Sequence, residues 1–342
     1  RDAAPPDAEE DDWGFREPRR EVPEEEAPAQ PTSIVLPVRP APSVPSVQSG
    51  RTKAAVKSDR QLFFELKFNE LDRGLTPEEP SPEMAIVSAP TREEYAEMFE
   101  TLQAGLMRGD SFLANLTTAT EVCLKGSLRD VFLTSRAPFR LLIPGEFVCF
   151  SPEPFVRVEG RGIATFPMKG TIDATLPDAE RQLLDDYKET CEHHTITDLM
   201  RNDLNMVSDA VEVVRYRYVE RVETMHGPIL QTSSEICGSL TEGKERRFGD
   251  IIFPLLPAGS ITGAPKRATV ELIARSERCP RGWYTGVFGY FDGHAFRSAV
   301  MIRCLQRSAD GRLYYHSGGG VTINSRCHDE YREVLEKVYL TK

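Results

Sequence analysis

The stretch Phe139–Phe166 reads FRLLIPGEFVCFSPEPFVRVEGRGIATF, and its reading decides the fold class. Strand-like pieces lie around Phe139–Leu142, Glu146–Phe150, Phe155–Val158 and Ile163–Phe166, with only Gly- and Pro-marked turns between them. Repeated βαβ units would put a helical pattern between successive strands, so this run predicts largely antiparallel sheet. Upstream, Thr91-Arg-Glu-Glu94 has the form of a helix capping box, and Tyr95, Met98, Phe99, Leu102 and Leu106 continue at helical spacing. Gly109-Asp110 then turns into a short apolar segment, Phe112–Leu116. Gln61–Phe68 can form a strand, and Pro77–Pro82 a loop. Downstream, a long helix is predicted from about Asp178 to Met206, then strands around Val211–Val219 and Ile236–Leu240. A turn over Pro257–Pro265 opens a helix to about Ser276. Strands at Gly286–Phe291, Ala299–Leu305 and Leu313–His316, a glycine run, and a last helix from about His328 to Tyr339 complete an α/β chain of the α+β type.

The 342 residues carry a net charge of −11, from 42 Lys+Arg against 53 Asp+Glu. No basic stripe is visible, so nucleic acid is not an expected partner. No run of 18 apolar residues occurs, so no membrane span is expected. The first 50 residues hold 10 of the 25 prolines, and 11 acidic against 5 basic residues. That composition opposes collapse, so residues 1–57 are read as a disordered Pro/acidic-rich extension and 58–342 as one folded domain. Seven cysteines are scattered, never in CxxC spacing, which favours a reducing, cytoplasmic setting over a disulfide framework. No signal-peptide pattern is visible at Arg1.

Two acidic helices are the sharpest chemical feature. Glu189 and Glu192 share one helix face, as do Glu330 and Glu333 on the C-terminal helix. If the two faces meet, four carboxylates converge, and like charges in a low-dielectric site call for a cation. Hard oxygen ligands suit Mg²⁺. Spacing alone leaves two unrelated solvated faces as the plain alternative. His193 and His194 follow Glu192, but adjacent helical residues point about 100° apart, so both are read as supporting residues. Ser317-Gly-Gly-Gly320 would let a substrate approach backbone N–H groups, and Ala258–Lys266 leads into a helix N-terminus that favours anions; simple turn chemistry would produce either. Neither run matches a nucleotide-binding loop. Lys169 stands in the otherwise uncharged stretch Phe166–Ile172, where a desolvated amine could act as a nucleophile and a snorkelling surface lysine is the alternative.

At this point the sequence resembles the chorismate-utilising enzyme family from about Thr91 to Tyr339, and within it most closely the aminodeoxychorismate synthase branch. The resemblance is carried by Gly109–Leu116, Ser151-Pro-Glu153, Pro167-Met-Lys-Gly-Thr171, Glu192-His193, Asp198–Leu204, Pro257–Lys266, Arg281–Gly286, Ile302-Arg303, Gly318–Gly320 and the Glu330/Glu333/Lys337 helix. It implies two facing antiparallel sheets wrapped by helices, with the site between them. It implies Mg²⁺ on the ring carboxylate of chorismate, held directly by Glu192 and Glu333 and through waters by Glu189 and Glu330. Lys337, Tyr284 and Arg303 match carboxylate-binding residues, and Gly170, Thr171, Ser260, Gly318 and Gly320 match other substrate contacts. Glu153 matches a general acid for the departing C4 hydroxyl. Lys169 matches a lysine that attacks C2 in aminodeoxychorismate synthases, where relatives similar to anthranilate synthase usually have alanine. The implied activity is conversion of chorismate and ammonia to 4-amino-4-deoxychorismate, for 4-aminobenzoate and folate synthesis.

Two departures bear on that reading. The lysine that activates water in isochorismate-forming relatives is replaced by Leu113, and the histidine of an H-x-x-S-x-[VI] motif by Gln231, with His226 five residues earlier. No cysteine sits in a glutaminase elbow, so ammonia is expected from a glutamine amidotransferase subunit or from solution. Too little sequence precedes Thr91 for the tryptophan pocket of longer relatives. The competing readings are anthranilate synthase and a silent chorismate-binding protein.

Overall fold

The computed structural model describes residues 63–66, 76–224 and 227–340. The expected extension over 1–57, His226, and all of the expected strand at 61–68 except 63–66 lie outside the described residues. In chain order the first half runs β1 (Phe63–Leu66), β2 (Glu83–Ser88), α1 (Arg92–Arg108), β3 (Leu113–Lys125), α2 (Leu128–Thr134), β4 (Phe139–Ile143), β5 (Phe147–Ser151), β6 (Pro154–Glu159), β7 (Gly162–Thr165) and β8 (Met168–Asp173). There follow α3 (Ala179–Asp185), α4 (Tyr187–Asn205), β9 (Ser208–Thr224), β10 (Gly227–Leu240), α5 (Phe248–Leu255), β11 (Gly263–Ala264), α6 (Lys266–Ser276), β12 (Val287–Phe291), β13 (Ala295–Val300), β14 (Cys304–Arg307), β15 (Leu313–Thr322) and α7 (Cys327–Glu336).

These strands form two antiparallel sheets, as the run at 139–166 predicts. The first has the order β1-β4-β5-β14-β15-β3-β11, with β2 beside the second half of β3. The second has the order β12-β13-β6-β7-β10-β8, with β9 along the other side of β10. The chain passes from one sheet to the other at Ser151-Pro152-Glu153. Ser151 pairs with Phe139 in the first sheet, and Pro154 pairs with Ala299 in the second. Glu153 is thereby set at the seam between the sheets, its N–H on Ser151 Oγ at 3.0 Å and its C=O on Val300 N at 3.1 Å.

Helices cover both sheets. On the second, α4 and α5 bury Ile196, Met200, Leu204, Ile251 and Leu255 against Phe155, Ile163, Ile236 and Val300. On the first, α1, α6 and α7 enclose Leu102, Leu272 and Val334 with Leu116 and Val321. The capping box forms as read: Thr91 N–H donates to Glu94 at 2.9 Å, and Glu94 N–H donates to Thr91 Oγ1 at 3.1 Å. A second box, Ser127/Asp130, starts α2, which the sequence reading missed along with β2 and α5.

Several boundaries differ from expectation. The strand expected at Ala299–Leu305 is divided, its start ending β13 at Val300 in the second sheet and its end opening β14 at Cys304 in the first. The long helix is broken at Asp186, which leaves helical geometry (ψ 116°) and accepts the Glu189 N–H at 2.9 Å, so α4 begins with its own cap. The glycine run continues β15 rather than following it, with Gly318 to Gly320 paired to Thr117, Leu116 and Asn115. Glycine is required there by space, since a Cβ on Gly318 would lie 2.7 Å from Leu116 O.

Close packing of α1 on α6 depends on Gly105, where an added Cβ would fall 2.4 Å from Leu272 Cδ1. Gly105→Val is expected to destabilise the fold by about 1–3 kcal/mol through overpacking, read as a lower urea midpoint; an unchanged midpoint would refute that contact.

Candidate active site

The acidic faces of α4 and α7 meet at the seam. Glu192 is 7% exposed and Glu330 2%. Three lysines reach them. Lys188 Nζ lies 3.7 Å from Glu192 Oε1 and 3.7 Å from Glu330 Oε1, bridging the two helices. Lys169 Nζ, from β8, lies 3.5 Å from Glu192 Oε2. Lys337 Nζ lies 2.6 Å from Glu333 Oε1 and donates to Gly318 O at 2.9 Å. The bare backbone of β15 forms one wall. A Cβ on Gly319 would come 3.4 Å from Glu330 Oε2 and 3.6 Å from Glu333 Oε1, and one on Gly320 would come 3.2 Å from Lys169 Nζ. Gly170 (φ 86°) brings the β8 backbone against Glu189, since a Cβ there would lie 3.1 Å from Glu189 Oε2.

Electrostatics divide the four glutamates. Burial, and then the neighbouring Glu192 charge, push the Glu189 carboxyl above its usual range. Burial raises Glu330 as well, with Glu333 adding to it. Burial also opposes ionisation of Glu333, but the Lys337 ammonium outweighs it and holds that carboxyl low. Burial lowers Lys337 in turn, against the pull of Glu333.

Across the cleft, Glu153 is raised by burial, partly offset by a short hydrogen bond from Ser260 Oγ and by the Lys169 and Lys337 charges. Tyr284 is buried, and its ring stacks on His316 with centroids 5.5 Å apart. Arg303 sits in the left-handed region (φ 52°), as does Thr285 (φ 63°) beside Tyr284. The Arg303 guanidinium donates to Lys337 O at 2.8 Å and lies over the Tyr339 ring. The structure therefore brings Glu153, Lys169, Gly170, Glu189, Glu192, Ser260, Gly318, Gly320, Glu330, Glu333 and Lys337 into one neighbourhood. Tyr284 and Arg303 adjoin it through the Lys337 end. Thr171 is exposed on β8, paired with Gln231, whose amide donates to Met168 Sδ at 2.7 Å.

Other motif residues turn out to hold the frame. Asp203 pairs with Lys266 at 2.7 Å, tying α4 to α6. Arg281 pairs with Glu277 at 2.6 Å and donates to the carbonyls of Ile261 and Asn115, each at 2.8 Å. His193 is fully buried, and burial holds its imidazole down at about 4; Nε2 is 2.6 Å from Ser234 Oγ. Lys188 was missed by sequence reasoning, although its i,i+4 spacing to Glu192 was a usable signal.

The acidic faces fit a hard divalent cation in their donor chemistry. Glu192 Oε1 is buried without a hydrogen-bond partner. Among the described residues no three Asp, Glu, His or Cys side chains close into a ready coordination set.

Comparison with known proteins places these residues in context. Residues 45–341 match the family described as chorismate binding enzyme. An uncharacterized PabA-like protein of Haemophilus influenzae is 52% identical over 246 residues, covering 72% of this chain and 75% of that protein. An anthranilate synthase component 1 of Haloarcula marismortui is 36% identical, covering 72% of this chain and 52% of that protein. The aminodeoxychorismate synthase component 1 of Salmonella typhimurium is 33% identical, covering 72% and 56%. The crystal structure of anthranilate synthase component I from Streptococcus pneumoniae superposes with a TM-score of 0.61 at 26% identity, covering 77% of this chain and 59% of that one.

The Glu153 environment makes a signed prediction. In a carboxyl-carbon NMR titration its pKa should lie above the usual value of about 4.3, and Ser260→Ala should raise it further. The Ser260 hydrogen bond favours the ionised form, so its loss favours the proton. A lower pKa in Ser260→Ala would contradict this arrangement.

Proposed function

The chain belongs to the chorismate binding enzyme family, and we propose that within it the protein is an aminodeoxychorismate synthase, joining chorismate and ammonia to give 4-amino-4-deoxychorismate. The observation that carries this reading is the Lys169 amine, which enters the cleft beside Gly320 and Glu192. Its place opposite a protonatable Glu153 is what a two-step allylic substitution needs. The Lys169 amine, once its ammonium proton has been given up to solvent, attacks chorismate C2. Both conjugated ring double bonds shift, C1=C2 to C1=C6 and C5=C6 to C4=C5, the C4–O bond breaks, and the leaving oxygen takes the Glu153 proton and departs as water. Lys169 is left as a secondary ammonium on C2. Ammonia then attacks C4, both double bonds shift back, and the C2–N bond breaks to return the lysine amine. Splitting the substitution in this way replaces one difficult step by two easier ones.

Arg303, Tyr284 and Lys337 would hold substrate carboxylates, and Ser260 would orient Glu153. Ser260, Gly170, Gly318 and Gly320 would line the substrate. Glu192 and Glu333 would hold a Mg²⁺ ion directly and Glu189 and Glu330 its waters; the ion would supply fixed positive charge for the ring carboxylate. Ammonia would come from a separate glutamine amidotransferase, consistent with relatives named as one component of an enzyme.

Anthranilate synthase is the rival, because the Haloarcula relative is somewhat more similar than the Salmonella one. Lys169 and Gln231 favour C4 amination without pyruvate loss.

Incubation with chorismate, Mg²⁺ and ammonium is expected to give 4-amino-4-deoxychorismate by mass and by conversion to no anthranilate. Lys169→Ala should slow its formation by orders of magnitude. Anthranilate as the sole product, or a Lys169→Ala protein at full rate, would overturn the reading. Excess chelator is expected to reduce turnover at least on the order of a hundredfold, restored by added Mg²⁺; undiminished turnover would remove the ion from the mechanism.

A further inference from the structure

Strand β8 does not run regularly into the site. Thr171 pairs with Gln231 and Met168 with Ser233, so Lys169 and Gly170 together oppose Thr232 alone. The extra residue is a bulge, with Gly170 in the left-handed region at φ 86°. A bulge takes a side chain out of the alternation its neighbours obey and re-aims it. Here the residue released is Lys169.

The carbonyl of Lys169 receives a buried donor. Thr232 Oγ1 makes a short hydrogen bond to it, and the His193 imidazole lies against that hydroxyl, its Nδ1 3.5 Å from Thr232 Oγ1. His193 is held in turn. Its Nε2 lies 2.6 Å from Ser234 Oγ, which accepts the Arg217 N–H at 2.9 Å. With that lone pair used, the Ser234 hydroxyl proton is directed at Nε2, leaving Nδ1–H to face Thr232 Oγ1. Arg217 itself donates to the Leu183 and Leu184 carbonyls at 3.1 Å each, and Ser234 N–H donates to Pro167 O at 2.9 Å. Thr232, His193 and Ser234 are all fully buried. A buried polar set of this kind is costly unless satisfied, and satisfied it rigidifies what it holds. What it holds is one peptide unit, at the bulge that carries the amine.

We propose that Thr232 and His193 are positioning residues for Lys169: the Thr232 hydroxyl clamps the carbonyl of the β8 bulge, His193 holds that hydroxyl in place, and together they fix the direction of the amine into the cleft. The proposal rests on the reading of Lys169 as the nucleophile, and it predicts that the hydroxyl of Thr232, not its bulk, sets Lys169 reactivity.

Thr232→Val removes the hydroxyl and keeps the shape; Thr232→Ser keeps the hydroxyl. Two readouts are taken on the full-length protein. One is the rate of a chorismate-derived adduct on the peptide containing Lys169 with ammonia withheld, together with KM and kcat. The other is labelling of Lys169 by trinitrobenzenesulfonate without chorismate, read by mass spectrometry. Thr232→Val should lower adduct formation and kcat on the order of tenfold or more, with KM within about twofold, and should change the labelling rate at least threefold. Thr232→Ser should restore both. His193→Asn, whose amide nitrogen stands where the imidazole has Nδ1, should behave like Thr232→Ser, and His193→Leu like Thr232→Val. Unchanged labelling and kcat in Thr232→Val, or a Thr232→Ser protein as impaired as Thr232→Val, would overturn the proposal. Labelling that follows the hydroxyl, in a protein whose Lys169 never forms an adduct and whose Lys169→Ala variant keeps full activity, would uphold the clamp and overturn the nucleophile.

Discussion

Four glutamates, of which Glu192 and Glu330 are buried, cannot be gathered between two helices without positive charge among them, and the cleft is organised by that requirement. Each of the lysines meets it from a different element: Lys188 from within α4, Lys169 from a strand of the second sheet, and Lys337 from the end of α7. Removing charges from water is expensive, and their mutual attraction repays it only with good geometry. The result is uneven. Glu333, with a lysine at 2.6 Å, stays ionised, while Glu189 and Glu330 are pushed toward protonation. The same carboxylates therefore have two ways to be neutralised, by proton or by cation, and a divalent ion entering the gap would compete with the Lys188 bridge.

The opposite wall is set by absence of side chains. Gly318 to Gly320 continue a strand whose backbone is already paired with β3, so they add no flexibility. They remove volume. Glu153 completes the enclosure because the chain changes sheets at Pro152, which leaves a carboxyl at the seam where neither sheet solvates it.

Much of this was legible in residue order. The strand run at 139–166, the capping box at Thr91, the paired glutamates of α4 and α7, and Lys169 in its uncharged stretch all depend on local chemistry, and local chemistry is what a sequence displays. What escaped depends on contacts between distant segments. Asp186 breaks a helical pattern because its carboxylate finds the Glu189 N–H, a choice that propensity alone does not make. The glycine run looked like a loop, since its extended form is imposed by β3 some 200 residues earlier in the chain. The bulge at Lys169 is invisible without the partner strand, because a bulge is a mismatch between two strands. Asp203 and Arg281 drew attention as parts of functional motifs, yet they serve as struts between elements.

The order of strands in the first sheet has a consequence for how the molecule is made. β14 and β15, near the end of the chain, are inserted between β5 and β3, which are made much earlier. Until β14 and β15 leave the ribosome, β5 and β3 each present an open edge, and unpaired strand edges template association with other chains. The helix that supplies Glu330 and Glu333 follows immediately after β15. Completion of the sheet and completion of the site are thus one late event, dominated by contacts of high sequence separation and correspondingly slow. A chain truncated before β14 would lack both inserted strands and the Glu330/Glu333 pair of carboxylates together.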